Sequence, residues 1–599
     1  MNRILFCLLY LFMSHVLSAQ VSSTYSISFD NAVHHEAFVT ATFENLKEGD
    51  VEFIMSRSSP GRYALHEFIK NVYKVKVTDS QGHALEVSRP DSYSWTVTGH
   101  DGTIKVSYVV YGNMGDGTYL QIDETHAHLN MPATFIYMPS LEHQGIEVTF
   151  NKREDLNWKV ATQLKHINGD TYYAKDFQYF MDSPTELSNY SIRSFDVKGQ
   201  TINFMLHHNG SEAELDAYFE KVKKVVLQEE SVFGELPKYD YGTYSFLACY
   251  MPNVSGDGME HRNSTIVTST TSLANGGMDS NIGTVAHEFF HCWNVERIRP
   301  KALEPFKFDQ TNMSGELWFA EGFTSYFDDL SLCRAGLISI EEYIEGLSGT
   351  FNYVWNSPGR QFFNPIEMSY QAPFVDAARA VDPVNRANTF ISYYSYGSAL
   401  GLALDLSLRE KGLNLDDFMK LMWKNFGKLE KPYTVEDLHN TLNTYSGTDF
   451  GDNFFQNYIY KSDMPDYKIL LASVGVELKQ DTESPYFGEA VSINNAFNGE
   501  IQRNTIIGSP AYVAGLDKGD IITAINQQPF PNGLRFDDFI EQYKVGDELA
   551  IDFLRFGESK STKVVLAPDP SYSIGLIEKS GEKPTDKVLK NRSDWLKRE

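Results

Sequence analysis

Hydrophobic and polar positions alternate through the first third of the chain. Tyr25-Ser-Ile-Ser-Phe29, Phe38-Val-Thr-Ala-Thr-Phe43 and residues 72–77, 104–111 and 146–150 alternate or run β-branched and aromatic, with turn residues between them. The pattern predicts an all-β domain over residues 20–200, a sandwich or saddle-like sheet. Beyond residue 201 the period lengthens. Ser211 and Glu214 have capping-box spacing, and Leu215, Phe219, Val222 and Val226 share one helical face. Helices are also predicted around His287, around Glu321, and over residues 396–410 and 435–444, giving a mostly helical domain over 201–475. A third unit spans 485–567. Pro510 there suits a helix start, Gly515 its end, and Ile521, Ile522 and Ile525 a core strand. Residues 568–599 read as a charged tail with a mobile end.

The first residues have a different pattern. Met1-Asn2-Arg3 precedes an apolar run from Ile4 to Phe12, and Val16-Leu-Ser-Ala19 precedes Gln20. Residues 1–19 are therefore expected to be a secretory signal peptide, cleaved after Ala19, sending the protein to the periplasm or outside the cell. No later segment reaches the roughly eighteen apolar residues of a membrane-spanning helix, so no span is expected in the mature chain.

Composition narrows the partners. The net charge of −27 argues against nucleic acid and anionic membranes. Aromatic residues make up 14% of the chain, which suits a well-filled, strand-rich core. Beyond the leader, only Cys249, Cys292 and Cys333 remain, so at most one disulfide is possible, and their spacing fits no thiolate zinc site. Cys292 is expected in the core.

The chemistry is concentrated in two segments, His287-Glu-Phe-Phe-His291 and Leu317-Trp-Phe-Ala-Glu-Gly-Phe-Thr-Ser-Tyr326. His287 and His291, four apart, share one face of a helix and can bind one metal ion. The helix is apolar on much of its surface through Ile282, Val285, Phe289, Phe290 and Trp293, and buried histidines need partners. Glu321 supplies a third ligand, with Glu316 as the rival. Three protein ligands leave a position for water, the arrangement of a catalytic zinc site, with one Zn2+ per chain expected. Glu288 is placed as the general base. Asp328, two turns beyond Glu321, could orient His287 or His291. Twenty-nine residues separate His291 from Glu321, and the stretch holding Pro300, Pro305 and Asn312 reads as a loop insertion.

Two resemblances extend this reading. Gly508-Ser-Pro-Ala-Tyr-Val-Ala-Gly-Leu516 followed by Asp517-Lys-Gly-Asp-Ile-Ile-Thr-Ala-Ile-Asn526 resembles a PDZ domain of the protease-associated kind. Such a domain implies a peptide ligand added as a strand near Tyr486-Phe487-Gly488. The two metal segments, with Cys292-Trp-Asn-Val-Glu-Arg-Ile-Arg-Pro300 between them and the trailing third unit, are similar to metallopeptidase family 61, the glycyl aminopeptidases of the gluzincin clan, related to the aminopeptidase N family. The resemblance implies a thermolysin-like zinc peptidase domain behind an N-terminal β domain.

The resemblance also implies particular residues. Gly256-Asp-Gly-Met-Glu-His261 is similar to the exopeptidase motif of the relatives, with His261 in place of their Asn. It implies that Gly258, Met259 and Glu260 bind substrate, Glu260 pairing with the free α-amine. Ser392-Tyr-Tyr-Ser-Tyr-Gly397 resembles the segment carrying the transition-state tyrosine, implying Tyr394, with Tyr393 as the alternative because Tyr396 replaces the usual Lys. The implied function is a zinc aminopeptidase removing small N-terminal residues, glycine preferred, from peptides with a free N-terminus. A zinc endopeptidase, or a PDZ peptide-binding scaffold with a structural zinc, are the alternative readings.

Overall fold

Strand Val21–Asn31 buries Tyr25, Ile27 and Phe29 and leaves Ser26 and Ser28 half-buried, so the period-two pattern becomes one buried face. It pairs in parallel with Gly145–Asn151 and antiparallel with Glu36–Phe43, at the centre of a seven-stranded sheet. This computed structural model describes residues 21–375, 382–488, 491–493, 499–530 and 535–597; the expected leader lies outside them. Two four-stranded sheets complete the N-terminal domain. One of them contains strands β1 (His126–Leu129) and β2 (Thr185–Ser188), paired antiparallel. The domain core holds Ile27, Val39, Phe43, Phe53, Trp95, Trp158 and Phe180. Each such fully buried large side chain stabilises by about 1.5–3 kcal/mol.

The second domain opens with a five-stranded sheet. Strand Ser191–Val197, taken from sequence as part of the first domain, pairs instead with β3 (Gln200–His208). Beside β3 lie β4 (Thr243–Tyr250), then β6 (Ser264–Ser269), then the edge strand β5 (Asp257–His261). Helix α1 (Glu212–Phe233) starts at the expected capping box of Ser211 and Glu214 and ends at Gly234 in the left-handed conformation. The rest is mainly helical, including α2 (Ile282–Phe290), α3 (Leu317–Ala320), α4 (Gly322–Arg334) and α5 (Tyr393–Glu410). Helix α5 lies directly on the α3–α4 junction. A Cβ added to Gly397 would come within 1.8 Å of the Trp318 carbonyl oxygen, so only glycine permits that approach.

The loop between His291 and Glu321 docks outward. Its Phe306 and Phe308 join the core of the N-terminal domain, and Phe308 accepts a backbone hydrogen bond from Arg57 at 2.7 Å. The insertion thus clamps one domain to the other.

Residues 485–568 form a small β unit with its own core of Phe487, Ile501, Leu516, Ile522, Phe530 and Ile551. Ser509 caps helix Pro510–Val513, Gly515 is left-handed, and Ile522 and Ile525 are buried in strand Ile521–Ile525. The segment after it is not a loose tail. Strand Tyr572–Leu576 pairs with Val476–Gln480, and helix Asp586–Leu596 buries Trp595, whose indole N–H donates to the Tyr326 hydroxyl at 2.9 Å. Most of its charged side chains are exposed, but Arg592 is buried and donates to the Val474 carbonyl at 2.8 Å; the final two residues, where a mobile end was expected, lie outside the described ones. No described helix is long and apolar enough to cross a membrane.

Candidate active site

Helix α2 buries Ile282, Val285, Ala286, Phe289 and Phe290, and this packing fixes its rotation. His287 therefore faces the cleft, and His291 follows as the helix cap with its backbone still helical. Their Nε2 atoms stand 3.1 Å apart. Glu321, at the junction of α3 and α4, brings Oε2 to 3.3 Å from His291 Nε2 and 3.7 Å from His287 Nε2. Glu316 lies outside this cluster and accepts from the Ser314 hydroxyl at 2.7 Å.

The outer atoms settle the tautomers. His287 Nδ1 donates to Asp328 Oδ2 at 2.9 Å, and His291 Nδ1 donates to the Asn294 carbonyl at 2.5 Å. Carboxylate and carbonyl oxygens only accept here, so in the neutral imidazoles, the form that binds a metal, both Nε2 atoms present lone pairs to each other and to Glu321. Three converging electron-rich atoms call for a cation among them, and two imidazoles with a carboxylate are the donors of a catalytic zinc. The electrostatics agree. Burial opposes a charged imidazole at His287, yet hydrogen bonds to Asp328 and Glu321 hold its pKa well above the usual range. At His291 burial is outweighed by the Glu260 and Glu321 carboxylates, which push it up to about 9. Burial would raise Glu321, but the two histidines hold it well below the usual carboxylate range. The pocket carries a surplus of negative charge that a dication would neutralise.

Glu288 turns to the other side of α2, against strand β5. A Cβ added to Gly258 would meet Glu288 Oε1 at 2.1 Å, so the backbone of β5 lies flush on this carboxylate. Burial pushes the Glu288 pKa up to about 7, and its Oε2 has no hydrogen-bond partner among the described residues. Glu260, next but one along β5, places a carboxylate oxygen within 4.8 Å of a Glu288 carboxylate oxygen and a His291 ring nitrogen. Met259 between them points the other way. It is 1% exposed and packs against Gly61 and Gly117 of the N-terminal domain rather than lining the cleft. His261 donates to Asp182 at 2.9 Å, tying β5 to the same domain.

The cleft has a volume of about 670 Å³ and is lined by His287, Glu288, Gly258, Asp328, Tyr394 and Arg62, among others. Tyr394, at the start of α5, has its ring 5.9 Å from that of His287. Tyr393 is fully buried beneath it, 4.9 Å away in a stacked pair, and does not line the cleft.

Two residues of the N-terminal domain enter this site without having been singled out by sequence. The Tyr63 hydroxyl donates to Glu321 Oε1 at 2.5 Å. The Arg62 guanidinium pairs with Asp257 and donates from Nε to Thr118 at 2.5 Å. Burial opposes its charge, but Tyr394, Asp116, Glu260 and Glu288 hold its pKa above the usual value. Neither stands near a motif, and only the folding of the first domain onto the second brings them in.

The chain matches known proteins at both domains. The profile described as the peptidase M61 N-terminal domain matches residues 24–189, and that of the M61 glycyl aminopeptidase matches residues 280–400. No curated protein matches. An aminopeptidase N family protein from Idiomarina loihiensis has the same fold, with a TM-score of 0.84 at 24% identity over 96% of this chain and 100% of that one. The M1 zinc metallopeptidase from Deinococcus radiodurans is more distant, with a TM-score of 0.41 at 13% identity over 73% of this chain and 93% of that one. Matched in order, the two profiles give the chain the N-terminal and glycyl aminopeptidase domains of the M61 peptidases, and it is a zinc-dependent metallopeptidase.

Proposed function

We propose that this peptidase is an exported aminopeptidase that removes small N-terminal residues, glycine above all, from peptides. The observation that carries the exopeptidase reading is the position of Glu260. One of its carboxylate oxygens lies within 4.8 Å of a Glu288 carboxylate oxygen and a His291 ring nitrogen, beside the place a scissile bond would take. A carboxylate there pairs with a free α-ammonium group, and a blocked or internal residue leaves it buried without a partner. The preference for glycine and the export rest on the family resemblance and the leader.

His287, His291 and Glu321 would hold one zinc ion. Bound there, zinc supplies a lowered pKa for water and polarisation of the scissile carbonyl. Glu288 accepts a proton from the attacking water and passes it to the leaving amine. Its buried, unpartnered oxygen suits both tasks. Tyr394 reaches into the cleft from α5, and its hydroxyl is suited to donate to the oxyanion. Asp328 and Tyr63 orient His287 and Glu321.

We assign the small β unit a PDZ fold that binds extended peptide at Tyr486-Phe487-Gly488. A cavity of about 410 Å³ lies beside these residues, with Arg503 in its wall, suited to a peptide carboxylate.

A panel of aminoacyl p-nitroanilides, free and N-acetylated, with and without chelator, tests the activity. Glycyl substrate is expected to be cleaved fastest, chelator to abolish cleavage, and acetylation to do so nearly as well. Glu260→Ala should raise KM for free-amine substrates. Equal rates on free and acetylated peptides would replace this reading with an endopeptidase.

A further inference from the structure

His126, Glu186, His207 and Cys249 come together between the two domains, and none of them lines the cleft. They come from four strands. His126 lies on β1 and Glu186 on β2 of the N-terminal domain, while His207 on β3 and Cys249 on β4 are register partners in the catalytic sheet. One donor atom from each lies within 4.8 Å of all the others. His126 Nδ1 is 3.1 Å from Glu186 Oε1 and 3.8 Å from Cys249 Sγ. His207 Nδ1 is 3.3 Å from Cys249 Sγ and 3.7 Å from Glu186 Oε1.

Zinc bonds of about 2.0–2.3 Å in a tetrahedron place neighbouring donors roughly 3.3–3.8 Å apart. The observed separations bracket that range before any adjustment to an ion. All four side chains are buried, at 0%, 3%, 9% and 1% exposure for His126, Glu186, His207 and Cys249. One thiolate and one carboxylate balance a dication, and thiolate with imidazole is a donor set that favours zinc. The surroundings also suit a metal. Glu186 Oε2 contacts His128 Nδ1 at 3.2 Å, which leaves Oε1 aimed at the other three donors. His126 Nε2 has no hydrogen-bond partner among the described residues, and the Asp123 carboxylate waits 3.7 Å away. A metal on Nδ1 puts the imidazole proton on Nε2, facing that carboxylate.

We propose that His126, Glu186, His207 and Cys249 bind a second divalent transition-metal ion of the zinc class, which staples the N-terminal β domain to the catalytic sheet. Four protein ligands close the coordination sphere, so the ion is structural. It holds the interface across which Tyr63 reaches Glu321.

Cobalt separates the two metal sites, because the cleft offers no thiolate. The full chain, produced in cobalt-supplemented medium, should carry two ions and show thiolate-to-cobalt charge-transfer absorption in the near ultraviolet. Glu321→Ala should drop to one ion and keep the band. Cys249→Ser should also drop to one ion, lose the band, retain chelator-sensitive cleavage and melt at a lower temperature. Among the described residues neither Cys292 nor Cys333 belongs to such a cluster, so neither supplies the band. One ion per chain without the band, or a band that survives Cys249→Ser, overturns the proposal. Should Cys249→Ser fail to fold, the Glu321→Ala protein decides alone: a band there supports the site, and its absence rejects it.

Discussion

Tyr63 and Glu321, from different domains and 258 residues apart, share a 2.5 Å hydrogen bond at the metal cluster. It occupies Glu321 Oε1 and leaves Oε2 for the histidines. The cluster of His287, His291 and Glu321 is therefore completed by the N-terminal domain. Removal of this hydroxyl in Tyr63→Phe should weaken zinc affinity by about 10–100-fold, as loss of a ligand's outer partner does. Competition with a zinc-chelating dye measures it. Unchanged affinity would show that the bond does not position Glu321.

Glu288→Gln should retain zinc and the thermal midpoint while kcat falls by about 10²–10⁴-fold, because the amide cannot accept the proton of water. Metal analysis together with steady-state kinetics checks this. A variant within a few-fold of the parent would remove Glu288 from its role.

Gly258 and Gly256 make a matched pair. A Cβ at Gly258 meets Glu288 Oε1 at 2.1 Å, whereas one at Gly256 finds only the Thr268 carbonyl oxygen at 3.9 Å. Gly258→Ala should displace the Glu288 carboxylate or strand β5 and lower kcat at least tenfold, with zinc retained. Gly256→Ala should behave like the parent. Equal kinetics for both would mean that the strand yields without disturbing the base.

The β unit at 485–568 can be excised where a simple truncation fails. Asp569 donates its backbone N–H to the Ser484 carbonyl at 3.0 Å, so the ends of the unit meet. Truncation after Ser484 also removes the strand and helix that return to the catalytic domain, and with them the buried Trp595. Loss of a buried tryptophan alone costs about 3–5 kcal/mol. A chain joining Ser484 to Asp569 should therefore stay folded and cleave short peptides, while the truncated chain should melt many degrees lower. If the excised chain also loses activity on long peptides only, the unit recruits substrate; equal activity at every length would reject that role.

The sequence determined whatever depends on local spacing. His287 and His291 share a face because four residues make about one helical turn, and the alternation at Tyr25, Ile27 and Phe29 marks a strand with one buried face. The capping box at Ser211 and the helix start at Pro510 were equally readable, since each is set within a few residues. Only the tertiary structure decided which distant groups meet. It separated Tyr394 from Tyr393 by burying one ring beneath the other. It moved Met259 from the cleft to the domain interface, because neighbours on a strand point to opposite faces. It brought Arg62 and Tyr63 to the site, and gathered His126, Glu186, His207 and Cys249 from four strands. Spacing along the chain says nothing of such contacts. They follow from how two buried faces and one long loop pack together, which is a property of the whole fold.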